Sequence, residues 1–471
     1  MKKIIPFFFF ASTLFFVQAQ AIWSFEDCVS YALENNININ QSKLSTDFAA
    51  NNVLQNKMDI YSPNINVNVT EGFNFANSVD PLTFNFVQQN TNSTTMGLFI
   101  DFNLFQGLSR MMNLKASALE LDATQLDQLE LENSTRLIIA NNYLNAMLAK
   151  EALQIAKDQR VLTQNQYKNT LELVKVGVLA KGDQYEVEAQ MANDEVNVIT
   201  AENNLELALN QIKFVLQLDP FQEIDIVGLP NMDIDVDANM TDVSILAENA
   251  LHLLPNVKSA ELRKRAAEFQ LKAAKGSLSP SISLSGYLGS NYFSAAQQQV
   301  GETTVTTPIG FVSGSNDLVI SSFQQPIFGD KSFGMQVGDN FNQNVRINLN
   351  IPIFGKWQRM IAINNAKLAV KQSEYDIQSK QNTLNQDIFN AQTSLKAASK
   401  QFLASEKSME AASIAFTYAE EKFKFGVINT YEFETAKNRL VAAQTNLAQA
   451  KFEYLFRHAI INFYKTGELS F

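Results

Sequence analysis

The chain has 471 residues, 37 of them Lys or Arg against 48 Asp or Glu, for a formal charge of −11, and a single cysteine. So acidic a chain, with no basic patch, is unsuited to nucleic acid, whose phosphates call for cations. One cysteine excludes an intramolecular disulfide, and the distant His252 and His458 leave it without a Cys/His metal set.

At the N-terminus, Lys2 and Lys3 precede an apolar stretch from Ile4 to Val17, and small residues follow in Val17-Gln18-Ala19-Gln20-Ala21. This is the pattern of a cleaved secretory signal over residues 1–21, with Ala19 and Ala21 equally good cleavage points. Its apolar run of about 14 residues is short of the roughly 20 that a spanning helix needs. No later segment offers 18 uninterrupted apolar residues. An exported chain of this kind is soluble in the periplasm, secreted, or inserted as a β-barrel. Cys28 follows Phe25-Glu26-Asp27, not the small apolar residues of a lipid-anchor site, and reads as a buried thiol.

Proline and glycine then divide the chain. No proline lies between Pro81 and Pro220, and none follows Pro352. After Gly107 the first gap holds only Gly177 and Gly182, and after Gly355 the second holds only Gly426 and Gly467. Each gap therefore predicts a very long helix, one deliberate break, and a second helix. A helix filling the interval from Gly107 to Gly177 would reach about 100 Å. Ile388, Leu395, Phe402, Met409, Phe416 and Phe423 recur every seven residues. Val187, Met191, Val198, Ala201, Leu205, Ala208, Ile212 and Val215 follow steps of three and four, with Asp194 the exception. Such spacing predicts helices packed along their length as coiled coil.

Strands precede the long helices. Ile65, Val67 and Val69 alternate with Asn66 and Asn68, and Leu98, Ile100, Phe102 and Leu104 with Phe99, Asp101 and Asn103. Ile282 and Leu284 alternate with Ser283 and Ser285, and Val345, Ile347, Leu349, Ile351 and Ile353 with Arg346, Asn348 and Asn350. Period two with one apolar face suits a strand between lipid and a wet lumen, and equally a half-buried strand of a soluble sheet.

The chain also repeats itself. Ser62-Pro63-Asn64-Ile65 parallels Ser279-Pro280-Ser281-Ile282, Leu104-Phe105-Gln106-Gly107 parallels Ile353-Phe354-Gly355, and Val176-Gly177-Val178 parallels Phe425-Gly426-Val427. The interval from Phe105 to Gly177 is 72 residues, and so is that from Phe354 to Gly426. From Pro63 to Phe105 it is 42, against 74 from Pro280 to Phe354. The extra length, rich in Gly, Ser, Thr, Asn and Gln around residues 291–341, marks an external loop, where insertion costs little. The strand tips then face outward and the helices point into the periplasm. Four strands cannot close a barrel, nor sit in lipid with unpaired edges. The chain must therefore oligomerise, and three copies would give twelve strands.

These features resemble the TolC-type outer-membrane factors of bacterial efflux and type I secretion, across essentially the whole mature chain. Beside the repeat, the strand endings and the breaks Val174-Lys175-Val176-Gly177-Val178 and Phe423-Lys424-Phe425-Gly426-Val427, residues 23–36 (Trp23 to Asn36) look like the family's opening helix. The resemblance implies a homotrimer. Long antiparallel coiled-coil helical hairpins form an α-barrel tunnel, and four strands per chain enter a shared twelve-stranded β-barrel. It implies a periplasmic adaptor and an inner-membrane transporter as partners, outer-membrane lipid around the barrel, and no enzymatic activity or cofactor. The expected organisation is a signal at 1–21, periplasmic helices at 22–62, β-hairpin 1 at 63–106 and helical hairpin 1 at 107–217. A linker or equatorial belt at 218–245 is followed by helices at 246–279, β-hairpin 2 with its long loop at 280–355, helical hairpin 2 at 356–462 and a tail at 463–471.

The resemblance places Gly177 and Gly426, with Val176, Val178, Phe425 and Val427, at the periplasmic tip where the adaptor docks. An acidic residue six positions past each tip glycine helps form the constriction, here Asp183 and Glu432. Capping is the competing role, since Asp183 with Glu186 and Asn429 with Glu432 have capping-box spacing. Family members with a well-characterised latch carry Tyr three before and Arg two after the second glycine. Phe423 and Ile428 make neither the corresponding hydrogen bond nor the ion pair.

Weaker signals remain. Asp233-Ile234-Asp235-Val236-Asp237 begins like a calcium loop but lacks its glycine (Ala238) and its glutamate (Ser244), and reads as an acidic linker. Phe73, Phe75, Phe84 and Phe86 form either a lipid-interface girdle or loop packing. His252 and His458 read as structural or surface residues, and the terminal Phe471 is assigned no role. No H-E-x-x-H, nucleophile elbow or phosphate loop supports an enzyme. An exported structural or adhesive coiled-coil surface protein, the alternative, accounts for the heptads but not for two repeated β-hairpins.

Overall fold

A computed structural model describes residues 21–79, 84, 86–228, 242–311, 313–315, 317–355 and 357–469. The leader at 1–20, the Asp233–Asp237 acidic run and Phe471 lie outside the described residues. In chain order the elements begin with β1 (Ala21–Trp23), α1 (Phe25–Asn35), α2 (Ile37–Tyr61), β2 (Asn64–Val79) and β3 (Phe86–Gln106). Then come α3 (Ser109–Lys175), α4 (Lys181–Leu216), β4 (Ile224–Ile226), α5 (Val243–Leu253) and α6 (Pro255–Gly276). The second half runs through β5 (Ser281–Phe293), β6 (Gln297–Phe311), β7 (Leu318–Asp330), α7 (Phe333–Asp339) and β8 (Asn342–Asn350). It ends with α8 (Gln358–Lys424) and α9 (Thr430–Thr466). The equal sequence intervals become two helices of equal length, since α3 and α8 each run for 67 residues.

The chain divides into two compact units. The first holds the described residues up to Ala49, Glu120–Lys264, and those from Gln372 onward. Its apolar stripes pack as the three-and-four spacing requires. One core joins Phe25, Cys28 and Ala32 of α1 to Ile139, Ala140, Tyr143 and Ala146 of α3, Ile212 and Leu216 of α4, and Ile224 and Ile226 of β4. There β1 pairs in parallel with β4, Ala21 opposite Ile224 and Trp23 opposite Ile226. Tyr143 ties this belt to the helix by donating its hydroxyl to the Val227 carbonyl at 2.7 Å. A second core gathers Leu246, Ala250, Leu254 and Val257 against Leu384, Ile388 and Phe463. Leu144 of α3 packs on Phe452 and Leu455 of α9, joining the two repeats. Along α8 the seven-residue stripe is buried at Ile388, Leu395 and Phe402 but only half-buried at Met409, Phe416 and Phe423.

The second unit holds Ala50–Leu119 and Arg265–Lys371. Its main sheet is four-stranded, in the order β2-β3-β5-β8 and antiparallel throughout. Where β3 turns into α3, Gly107 (φ +57°) lies against Gly276 at the α6–β5 turn. A Cβ on either would strike the other's carbonyl oxygen, so the close approach of these two turns needs both glycines. Two details depart from the expected strands. Leu104 is skipped by a bulge between Asn103 and Phe105, which ends the simple alternation one residue early. And β8 stops at Asn350, leaving Ile351 and Ile353 outside it, because Pro352 brings no N–H to a ladder. The long connection is also more ordered than a loop. It forms a separate two-stranded sheet, β6 with β7, and the short helix α7.

Candidate functional site

Three features of the described chain bear on function: the sheet, the two helix breaks, and a buried ionic cluster. The sheet's register decides which residues share a face. Ile65 of β2 lies opposite Ile100 of β3, which pairs with Gly286 of β5, itself opposite Val345 of β8. Phe102 continues to Leu284 and Ile347, and Ile282 faces Leu349. The next rows belong to the other face: Asn64, Asp101, Ser285 and Arg346 form one, and Asn103, Ser283 and Asn348 lie on another. Two-fold alternation in four strands thus adds up to one apolar and one polar sheet face. The apolar face is open in the single chain, with Val67 and Ile347 each 72% exposed. On the polar side, Phe99 and Tyr287 pack ring to ring at 5.0 Å, over Gly97, where any Cβ would meet Tyr287.

The two helix breaks are built alike. At the first, Gly177 (φ +81°) donates its N–H to the Val174 carbonyl at 3.1 Å, and Val178 donates to Leu173 at 2.9 Å. At the second, Gly426 (φ +67°) donates to Phe423 at 3.0 Å and Val427 to Lys422 at 2.9 Å. These paired bonds close a helix through a left-handed residue, which is why glycine stands at both. Nothing lies within 4 Å of a Cβ placed on either, so the backbone angle, not space, makes the demand. Val176, Val178, Phe425 and Val427 are all exposed, Phe425 at 84%.

The two acidic residues past these breaks are not equivalent. Asp183 sits at the third position of α4, not at its cap, and its Oδ2 accepts the Ala180 N–H at 3.1 Å. Its other oxygen accepts the hydroxyl of the buried Thr430 at 3.1 Å, tying the first break to the second within one chain. At the second break the cap is Asn429, whose Oδ1 accepts the Glu432 N–H at 2.8 Å, and the Glu432 side chain is exposed. Each break therefore uses a different half of the capping box. Phe423 stacks on Phe433 at 4.8 Å, with Phe416 also against Phe433 at 5.6 Å, and Ile428 is half-buried. Of the two latch positions, Phe423 is thus taken up by aromatic packing.

Farther along these helices lies a cluster that the sequence reading did not assemble. Lys437 of α9 is fully buried. Its Nζ reaches Glu434 Oε2 at 2.6 Å, Thr163 Oγ1 at 3.1 Å and Gln166 Oε1 at 3.4 Å. The Thr163 hydroxyl donates to Asp194 of α4, which also accepts from Gln190 at 2.8 Å. The signal was present: Asp194 interrupts one apolar stripe, and Lys437 stands between Phe433 and Leu440 at core spacing in another. A charged residue at such a position calls for a buried partner, but the partner's identity depends on which helices meet.

The second half of the chain, residues 246–458, matches the model of the family described as outer membrane efflux protein. The fold is similar over 94% of the chain to CusC, whose crystal structures address folding and transmembrane channel formation. There the identity is 17%, the TM-score 0.73, and 91% of that chain is covered. The likeness in sequence to outer membrane efflux proteins thus covers the second half of the chain, and the likeness in fold nearly all of it. The Campylobacter jejuni CmeC outer membrane channel is likewise similar, with 17% identity, a TM-score of 0.72, and 95% of this chain and 86% of that one covered. VceC of Vibrio cholerae gives 13% identity and a TM-score of 0.70 over 93% of this chain and 95% of that one. No curated protein matches the sequence. The family matched over residues 246–458 is one of outer membrane channels and not of enzymes. Among the described residues no helix is long and apolar enough to cross a membrane.

Proposed function

We propose that the chain is one protomer of a homotrimeric exit duct. Three four-stranded sheets close a twelve-stranded barrel in the outer membrane, and the long helices line a periplasmic tunnel. The observation that carries this reading is the four-stranded sheet with one apolar and one polar face and two free edges, β2 and β8. Unpaired backbone groups at such edges are costly in lipid, and edge-to-edge joining of copies removes them. The duct accepts substrates from an inner-membrane transporter through a periplasmic adaptor, in tripartite efflux or type I secretion. The exposed Val176, Val178, Phe425 and Val427 suit apolar docking of the adaptor around Gly177 and Gly426, and Asp183 and Glu432 supply an acidic constriction. No observation favours a structural or adhesive coiled-coil surface protein.

Protein purified from outer membranes tests the duct. The expected result is a trimer by light scattering in detergent and discrete conductance steps in a planar bilayer. A monomer that leaves the bilayer silent would refute it.

A further inference from the structure

The two free edges of the sheet are unequal: β2 is 16 residues long and β8 only nine. The chain itself shortens the β8 side. Gln336 of α7, fully buried, takes the place of a strand residue beside Phe293. Its Oε1 accepts the Phe293 N–H at 3.0 Å, and its Nε2 donates to the Phe293 carbonyl at 3.0 Å and to the Lys331 carbonyl at 2.8 Å. Val337 accepts from Ser290 at 2.8 Å, and Asn340 donates to the Asn291 carbonyl at 2.7 Å. The end of β5 is thus sealed by α7 instead of by a longer β8, and the β6–β7 hairpin rises from this anchored base.

On the opposite edge β2 runs on. Gly72 is level with Ser93 of β3, which pairs with Phe293, the last residue of β5. From Phe73 to Val79, β2 pairs only with β3, as a two-stranded overhang. The chain therefore raises two separate hairpins beyond its four-stranded sheet, and two-stranded hairpins are marginal by themselves. Both present exposed apolar side chains among Asn, Gln, Ser and Thr, with Phe73 and Phe75 on one and Ile320, Phe323, Ile327 and Phe328 on the other. Between residues 297 and 330 the charged residues are Glu302, Asp317 and Asp330, with no Lys or Arg, and no Lys or Arg lies between 72 and 92 either. Neither hairpin offers a cation to anionic lipid headgroups.

We propose that the overhang of β2 and β3 packs against the β6–β7 hairpin of the next copy of this chain, forming an apolar seam above the barrel at each subunit boundary. The proposal rests on the trimer reading. When β2 of one copy adjoins β8 of the next, the short β8 leaves the upper part of β2 without a strand beside it. The segment that precedes β8 in the neighbour is α7 and then β7. A hairpin with exposed apolar side chains and no cations fits that gap, and its burial covers exposed edges that otherwise invite aggregation.

The full-length protein allows a clean test, because Cys28 is its single cysteine and is fully buried. The double variant Phe75→Cys/Phe323→Cys is treated in outer membranes with a short bis-maleimide and then heat-denatured. The expected result is that most chains run as covalent oligomers, whereas each single variant stays monomeric. Phe73→Cys/Ile327→Cys serves as a second pair should the first perturb folding. A normal trimer by light scattering that gives no cross-link with either pair would overturn the seam while leaving the duct intact; a monomer would sink both. Strong quenching by nitroxide-bearing lipid of a fluorophore attached to the introduced thiol of the Phe75→Cys single variant would also overturn the seam, placing the overhang against lipid.

Discussion

Replacing Lys437 by Met keeps most of the aliphatic stem but removes the charge at the centre of the buried cluster. Lys437 is 0% and Glu434 8% exposed, with Asp194 at 1%. The substitution leaves two buried carboxylates without their cation, and Glu434 Oε1 already has no hydrogen-bond partner. Removing one member of a buried pair costs about 3–5 kcal/mol, most of it from the stranded charge. The loss acts on the packing of α9 against α3 and α4. Opening of that seam therefore becomes easier by roughly a hundred- to several-thousandfold, at about 1.4 kcal/mol per factor of ten. Amide hydrogen exchange in α9 around residues 430–445 reads this out. The triple variant Lys437→Met/Glu434→Gln/Asp194→Asn, which removes all three charges together, is expected to recover most of the protection. A Lys437→Met protein within about threefold of wild type, or a triple variant no better than the single one, would refute the reasoning.

Three further outcomes follow from the same geometry. In the pair Asp183→Asn/Glu432→Gln, the new amide oxygen at position 183 still accepts the Ala180 N–H, and the amide N–H there can donate to the Thr430 hydroxyl, which rotates to accept. The pair removes both charges. It should lower the preference for cations in single-channel recordings, and unchanged selectivity would exclude an acidic constriction at these residues. Burial, with Asp127 adding to it and Lys380 opposing, raises the Glu130 carboxyl above its ordinary range. The folded chain then holds this proton more tightly than the unfolded one, so stability is lost as pH rises through the folded value. Glu130→Gln should therefore melt higher than wild type at about pH 8 and converge with it near pH 4; the opposite trend in thermal melts would contradict this. Burial, with Asp27 and Glu26 adding to it, pushes the Cys28 thiol up to about 12. Maleimide should label it only after denaturation, and labelling of the native protein at the rate of a free thiol would disprove its burial.

Much of the architecture was legible because it rests on local chemistry. Proline cannot donate to a helix ladder and glycine alone reaches left-handed angles cheaply, so their placement marks α3, α8 and the breaks at Gly177 and Gly426. Alternation marks β2, β3, β5 and β8, since side chains on a strand point to opposite faces by geometry. Export, by contrast, was inferred from residues outside the described part of the chain.

What tertiary structure alone decided concerns partners distant in sequence. The spacing around Asp183 allowed a cap, but only the meeting of the two breaks sets it against Thr430, 247 residues away. Asp194 was visible as an interruption of a stripe, yet nothing local shows that Thr163 bridges it to Lys437. The composition of residues 291–341 announced a loop. The structure instead builds a hairpin and α7 there, because the Gln336 amide supplies the donor and acceptor that Phe293 lacks at the end of its strand. Periodicity reports which side of an element is apolar. Which element covers that side depends on packing between segments hundreds of residues apart, and local sequence carries no record of it.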